Sequence, residues 1–140
     1  WEPLADFPLF DFAAVLAKRK ASIKSLLLNQ QIIAGLGNIY ADEALFLAGI
    51  HPARIASSLT ADEVQCLHQA IVQVLEAGVQ LRGTSFSDYV DGLGRSGSFQ
   101  HQLAVYGREG KACPRCGAEI QRQKISGRSS HYCPFCQPAD

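Results

Sequence analysis

Four cysteines form two like pairs, Cys113-Pro114-Arg115-Cys116 and Cys133-Pro134-Phe135-Cys136, separated by residues 117–132. A two-residue gap lets both sulfurs of a pair turn toward one ion, and the spacer is long enough for a two-stranded excursion that returns the second pair to the first. Four thiolates favour one tetrahedral zinc ion with no open ligand position, a structural site and not a catalytic one. Such a site contributes on the order of 10–16 kcal/mol to folding a tail too small for its own core. Two disulfides or four free thiols are the alternatives. His131 lies close enough to Cys133 to replace a thiolate, although four cysteines make it superfluous. The fifth cysteine, Cys66, reads as a buried or half-buried thiol.

Two turns have the chemistry to hold an anion. Arg128 follows Ser126-Gly127 and precedes Ser129-Ser130, in the expected turn between the strands of the excursion. There a guanidinium with small neighbours can grip a phosphate through two parallel hydrogen bonds. Gly35-Leu36-Gly37-Asn38 leads into a helix, so free N–H groups and the positive dipole end point outward, and the Asn38 amide can donate. Plain N-capping is the other reading of Asn38. Two anion-holding turns together suggest a phosphate backbone as ligand.

The elements that must position these residues are mostly helical. Phe12 to Leu16 is a short apolar helical patch running into Lys18-Arg19-Lys20. From Ser22 to Ile33 the residues Ile23, Leu26, Leu27, Leu28, Ile32 and Ile33 predict a buried helix, ending where Gly35 and Gly37 supply a turn with positive φ. A second helix runs from Ile39 to about Ala48, with Asn38 as N-cap and Asp42 and Glu43 complementing its dipole, and Gly49-Ile50-His51-Pro52 ends it. Thr60 to Glu63 is a capping box opening a long helix with apolar residues Val64, Leu67, Ile71, Val74 and Leu81. Residues 82–100, rich in glycine and serine around Phe86 and Tyr89, read as a long loop. Residues 103–106, 119–124 and 130–132 are short enough for strands.

The 140 residues carry 13 Lys+Arg against 13 Asp+Glu. Residues 1–100 are about −3 and residues 101–140 about +3, and four of five cysteines lie in the second part, so a boundary falls near residue 100. Neutrality disfavours a self-sufficient nucleic-acid binder, which would usually have a pI above about 9. DNA contact must then rest on a few placed groups. No apolar run reaches the roughly 18 residues of a membrane span, and the first residues lack the marks of a secretory signal.

The segments Ile23-Lys24 to Gln30, Ala34-Gly35-Leu36-Gly37-Asn38-Ile39-Tyr40-Ala41-Asp42-Glu43-Ala44-Leu45-Phe46 and Gly49 to Pro52 resemble the helix-two-turn-helix motif of the formamidopyrimidine-DNA glycosylases. Gly97 to Gln100, Val105 to Arg108, Cys113 to Gly117 and Gly127 to Gln137 resemble that family's C-terminal loop and zinc finger. The related endonuclease VIII branch shares the architecture, but the wording Cys116-Gly117-Ala118-Glu119-Ile120 is closer to the first. The resemblance implies a mainly α fold: a helix-two-turn-helix bundle over residues 1–100, with a lesion-covering loop at 83–100, followed by a small β-hairpin zinc finger over 101–140.

It also implies a base-excision repair enzyme, acting as a monomer in the bacterial cytoplasm on double-stranded DNA with oxidised bases. Such an enzyme flips out 8-oxoguanine or formamidopyrimidine, cleaves the glycosidic bond and nicks the strand by β,δ-elimination. The family's nucleophile is an N-terminal proline followed by glutamate, whereas this chain opens Trp1-Glu2-Pro3-Leu4. The expectation is the DNA-binding half, without the N-terminal catalytic domain, able to bind but not to cut. By the same resemblance Lys24, Gly37 and Asn38 lie near the lesion's phosphates, and Arg128 clamps them and donates the proton of δ-elimination. Lys20 and Arg19 fall near a DNA-contacting basic position, a solvated helix face being the alternative. Thr84, Ser85 and Tyr89 stand at the root of the loop, where Asp91-Gly92-Leu93 departs from the usual basic residue. A non-enzymatic zinc-containing binding module and a small enzyme with an unfamiliar site are the other classes.

Overall fold

A computed structural model of the chain describes residues 1–80 and 103–139. The expected loop at 83–100, with Thr84, Ser85 and Tyr89, and the boundary near residue 100 lie outside the described residues. Four helices, α1 (Leu9–Ala17), α2 (Ile23–Leu27), α3 (Asn38–Ala48) and α4 (Ala61–Gln80), precede an antiparallel hairpin of β1 (Gln121–Ile125) and β2 (Arg128–Tyr132). Among the described residues the fold is mainly α with one small sheet.

The helical core gathers Phe12 and Leu16 of α1, Ile23 and Leu27 of α2, Leu45 of α3, and Leu67 and Ile71 of α4, with Ile33 and Leu36 from the connection between α2 and α3. A separate small core unites Val105, Cys113, Ile120 and Cys133 with Phe46 of α3. Because α3 contributes to both cores and packs on both α4 and β2, it is the element through which the helical part carries the finger.

Helix α4 opens as expected: Glu63 N donates to Thr60 Oγ1 at 3.2 Å and Thr60 N to Glu63 Oε1 at 2.8 Å. Cys66, however, is exposed. It lies off the stripe of Val64, Leu67 and Ile71 that α4 buries, so the expected buried thiol is corrected.

The helix expected from Ser22 to Ile33 is much shorter. Ser22 caps α2 by accepting from Ser25 N, and the helix ends at Leu27. Asn29 Oδ1 accepts from Gln31 N, while Gln30 accepts from Gly35 N and donates to Leu36 O. Side chains that bond nearby backbone offer it an alternative to the helix, so residues 29–35 fold as turns that still bury Ile33. Of the two glycines there, Gly35 takes positive φ (84°) but Gly37 is extended at φ −86°, ψ −178°.

Residues 103–106 are not a strand. Their N–H groups at Ala104, Val105 and Tyr106 all donate to the Glu43 carboxylate, at 2.8, 2.9 and 2.9 Å, which takes three of the four from any ladder.

Candidate nucleic-acid interface and metal centre

The hairpin turn is made by Ser126 and Gly127, both with positive φ (54° and 80°). This is the mirror-image two-residue turn whose twist matches the flanking strands. Ile125 pairs with Arg128, so Arg128 is the first residue of β2, just past the turn, and its side chain is exposed.

The hairpin is fastened to the helices at that end. The Asn38 amide, at the first position of α3, donates to Ser129 O at 3.1 Å. Lys24 of α2 donates to Ser129 O at 3.2 Å, to Ser130 Oγ at 2.8 Å and to Asp42 Oδ1 at 2.5 Å. Asp42 also accepts the backbone N–H of His131 at 3.0 Å through Oδ2, with the His131 ring Nδ1 at 2.9 Å. The Ser129–Ser130 peptide is thus tied to both helices, so the residue that follows Arg128 is bonded to the first residue of α3.

That helix end is open. Gly37 is its N-cap, no side chain caps it, and a Cβ built on Gly37 would meet nothing within 4 Å. The first-turn N–H groups carry the positive end of the dipole. Asn38 is therefore not the N-cap; its amide links helix to hairpin, with Oδ1 buried and without a hydrogen-bond partner. Lys24 departs further from expectation. It is wholly buried, and three acceptors account for its three ammonium donors. Burial pushes its pKa down, Asp42 pulls it up, and the positive charge of Arg128 pushes it down again. Arg19 and Lys20 are exposed in the connection between α1 and α2. Lys20 lies two residues from Ser22, whose Oγ is 3.5 Å from that of Ser126 in the hairpin turn.

Asp42 and Glu43 are the functional residues that sequence reasoning missed. The expected dipole role is corrected, because α3 begins at Asn38 and neither acid lies in its first turn; both are buried instead. Glu43 holds the backbone entering the finger, and burial raises its pKa while the three N–H donors and neighbouring Asp42 act on it in opposite directions. Gln137 was also missed: its amide accepts from Cys133 N at 2.8 Å and donates to Ile50 O at 2.9 Å, joining the second cysteine pair to the end of α3. Gly49 permits this approach. Its φ is +73°, and a Cβ there would lie 3.3 Å from Cys136 O.

The sulfurs of Cys113, Cys116, Cys133 and Cys136 lie within 4.8 Å of one another. Cys113–Cys136 and Cys116–Cys133 are 3.9 and 3.4 Å apart, too long for disulfide bonds and close to the roughly 3.8 Å edge of a tetrahedron with 2.3 Å metal–sulfur bonds. Arg115 N and Cys136 N point at Cys113 Sγ (3.3 Å) and Cys133 Sγ (3.4 Å), stabilising thiolates. Burial and the other thiols push Cys136 up to about 12, whereas at Cys113 burial is outweighed by backbone donors together with the Cys133 and Cys116 thiols, which bring it to about 7. A divalent cation resolves this crowding. His131 is engaged with Asp42, so all four ligands are cysteines.

The formamidopyrimidine-DNA glycosylase H2TH domain matches residues 2–90, and the zinc finger found in FPG and IleRS matches residues 110–139. The chain belongs to the formamidopyrimidine-DNA glycosylase family. A formamidopyrimidine-DNA glycosylase of Desulforamulus reducens is 61% identical over 89% of this chain and 45% of its own length. A Lactococcus lactis family member solved in complex with FAPY-dG containing DNA matches with TM-score 0.84 and 43% identity, over 98% of this chain and 50% of that one. The Thermus thermophilus MutM (FPG) protein matches with TM-score 0.86 and 44% identity over all of this chain and 54% of its own. The chain spans about half the length of the curated relatives it matches. Membership fixes the four-cysteine centre as the family's zinc finger, holding one structural zinc. No described helix is long and apolar enough to cross a membrane.

Proposed function

We propose that this chain is the duplex-gripping part of a bifunctional glycosylase and lyase that removes oxidised purines such as 8-oxoguanine and formamidopyrimidine. The observation that carries the reading is the tie of Ser129 O to Asn38 and Lys24, which fastens the residue after the exposed Arg128 to the first residue of a helix that no side chain caps. Those two groups offer a charged fork and a positive dipole end to one stretch of phosphate backbone. The α2, turns and α3 unit serves as the helix-two-turn-helix motif, and the zinc holds the hairpin that presents Arg128.

In this reading Gly37 allows the backbone of α3 close to a phosphate, since no side chain stands there. Asn38 orients the hairpin and offers its remaining amide proton. Lys20 and Arg19 add charge at the periphery. In strand cleavage Arg128 would hold the phosphate at the lesion and supply the proton for δ-elimination. The attacking amine and its glutamate belong to the Pro-Glu pair that the resemblance implies. Because the chain spans about half the length of its relatives, excision is assigned here to the whole protein and duplex binding to these residues, acting as a monomer.

Fluorescence anisotropy with a labelled duplex carrying a central tetrahydrofuran residue tests this. Saturable one-to-one binding at about 50 mM salt is expected, and no binding there would defeat the reading. Borohydride treatment with an 8-oxoguanine duplex should leave the protein unmodified; a covalent adduct would show a nucleophile within the chain.

A further inference from the structure

We propose that Lys24 and Asp42 are positioning residues for the phosphate grip, the buried pair fixing the backbone of Ser129 to His131 so that Arg128 is aimed beside the N-terminus of α3. The inference rests on the proposed function, and it replaces direct phosphate contact by Lys24 with action through the hairpin.

Both side chains are fully buried, with no exposure of either charged group. A buried ion pair is not needed for stability, because well-packed apolar residues of like volume commonly serve as well or better. What such a pair supplies is direction. Every donor of Lys24 goes to Asp42 or to β2, and Asp42 spends its second oxygen on His131, so three consecutive residues of β2 are held from below. These residues directly follow Arg128. Besides the ladder to β1 and the contacts of the His131 ring, the Asn38 amide holds the same segment by reaching the same Ser129 carbonyl. Without the pair, that carbonyl keeps one donor and the N–H of His131 loses its acceptor. The Ser126-Gly127 turn can then swing, carrying Arg128 away from α3.

The test is a double-mutant cycle on the full 140-residue chain, read by anisotropy with the tetrahydrofuran duplex. Lys24→Met with Asp42→Leu removes both charges at once, which avoids leaving one buried and unpaired. One zinc per chain and a cooperative thermal transition qualify the variant. We expect it to lose about tenfold in affinity and about one from the slope of log K against log salt, as Arg128→Ala does alone. Adding Arg128→Ala to it should cost nothing more, because an unaimed guanidinium has already been lost. Wild-type affinity in the pair variant, or the full loss on adding Arg128→Ala, would overturn the proposal and leave the function standing. Should Arg128→Ala bind as the wild type does, both fail. Ser130→Ala guards against a variant that does not fold: it keeps the ion pair and removes one bond to β2. It should weaken binding a few-fold in the presence of Arg128 and not in its absence; equal effects in both backgrounds would overturn the proposal.

Discussion

Lys24 and Asn38 donate to one acceptor, the carbonyl of Ser129, at 3.2 and 3.1 Å. One donor comes from α2 and the other from the first residue of α3, so the connection between those helices and the tip of the zinc hairpin form a single rigid corner. Arg128 stands at that corner with its guanidinium in solvent. The neutral total charge is compatible with DNA binding for this reason: a few groups are placed, and a broad positive field is not required.

Zinc should be required for the corner and not for the helices. The helical core contains no finger residue, whereas the finger's core is built on two of the ligands, Cys113 and Cys133. Metal analysis should give one zinc per chain. Chelation, or Cys116→Ala, should abolish duplex binding and remove the hairpin's amide protection while far-UV circular dichroism keeps most of its helical signal. Loss of the helical signal along with the metal would contradict this division.

Glu43 fixes the backbone that enters the finger. Replacing it with Gln leaves one acceptor oxygen for three N–H donors and turns an amide group against them. Each buried donor left unpaired costs about 1–3 kcal/mol. Glu43→Gln should therefore lower stability in urea unfolding by about that amount and raise amide exchange at residues 104–106, despite being nearly isosteric. An unchanged unfolding midpoint would show that the carboxylate is not what holds this segment.

Glu63 gives the helical part a measurable acid sensitivity. Its bond with Arg54, assisted by Thr60, holds its carboxyl below the ordinary value of 4.5. A depressed carboxylate contributes stability that is complete above that value and is lost as pH falls through the folded one. The stability difference between wild type and Glu63→Gln should be about 1 kcal/mol near neutrality and shrink toward zero as pH drops below about 4. Acid release of zinc affects both proteins and cancels in the difference. A difference that does not vary with pH would mean that the carboxylate's charge has no part in the cap.

Much of this was legible in the chain because it is local. The cysteine spacing, the Thr60–Glu63 capping box, α3 with its glycine stop and the Ser126-Gly127 turn each depend on residues close in sequence. What was hidden depends on residues far apart. The apolar run from Ile23 to Ile33 has the period of one helix, but Asn29 and Gln30 bond backbone that the helix would need, and α2 stops at Leu27. The stretch 103–106 has the composition of a strand, yet its N–H groups belong to a carboxylate on α3. Asp42 reads as a dipole partner and Lys24 as a residue near the phosphates. Only the packing of β2 on α3 shows that they face each other in the interior. Cys66 misled for a simpler reason, since a thiol's apolar character says nothing about which side of α4 it occupies.

The most direct test of the corner is the salt dependence of duplex affinity for wild type, Arg128→Ala and Asn38→Ala, measured with the tetrahydrofuran duplex by anisotropy. Wild-type affinity should fall linearly on a log–log plot with a slope set by a few phosphates. Arg128→Ala should lower affinity about tenfold and reduce the slope by about one, while Asn38→Ala should lower affinity with the slope unchanged, since an amide releases no counterion. Wild-type affinities and slopes in both variants would contradict the account.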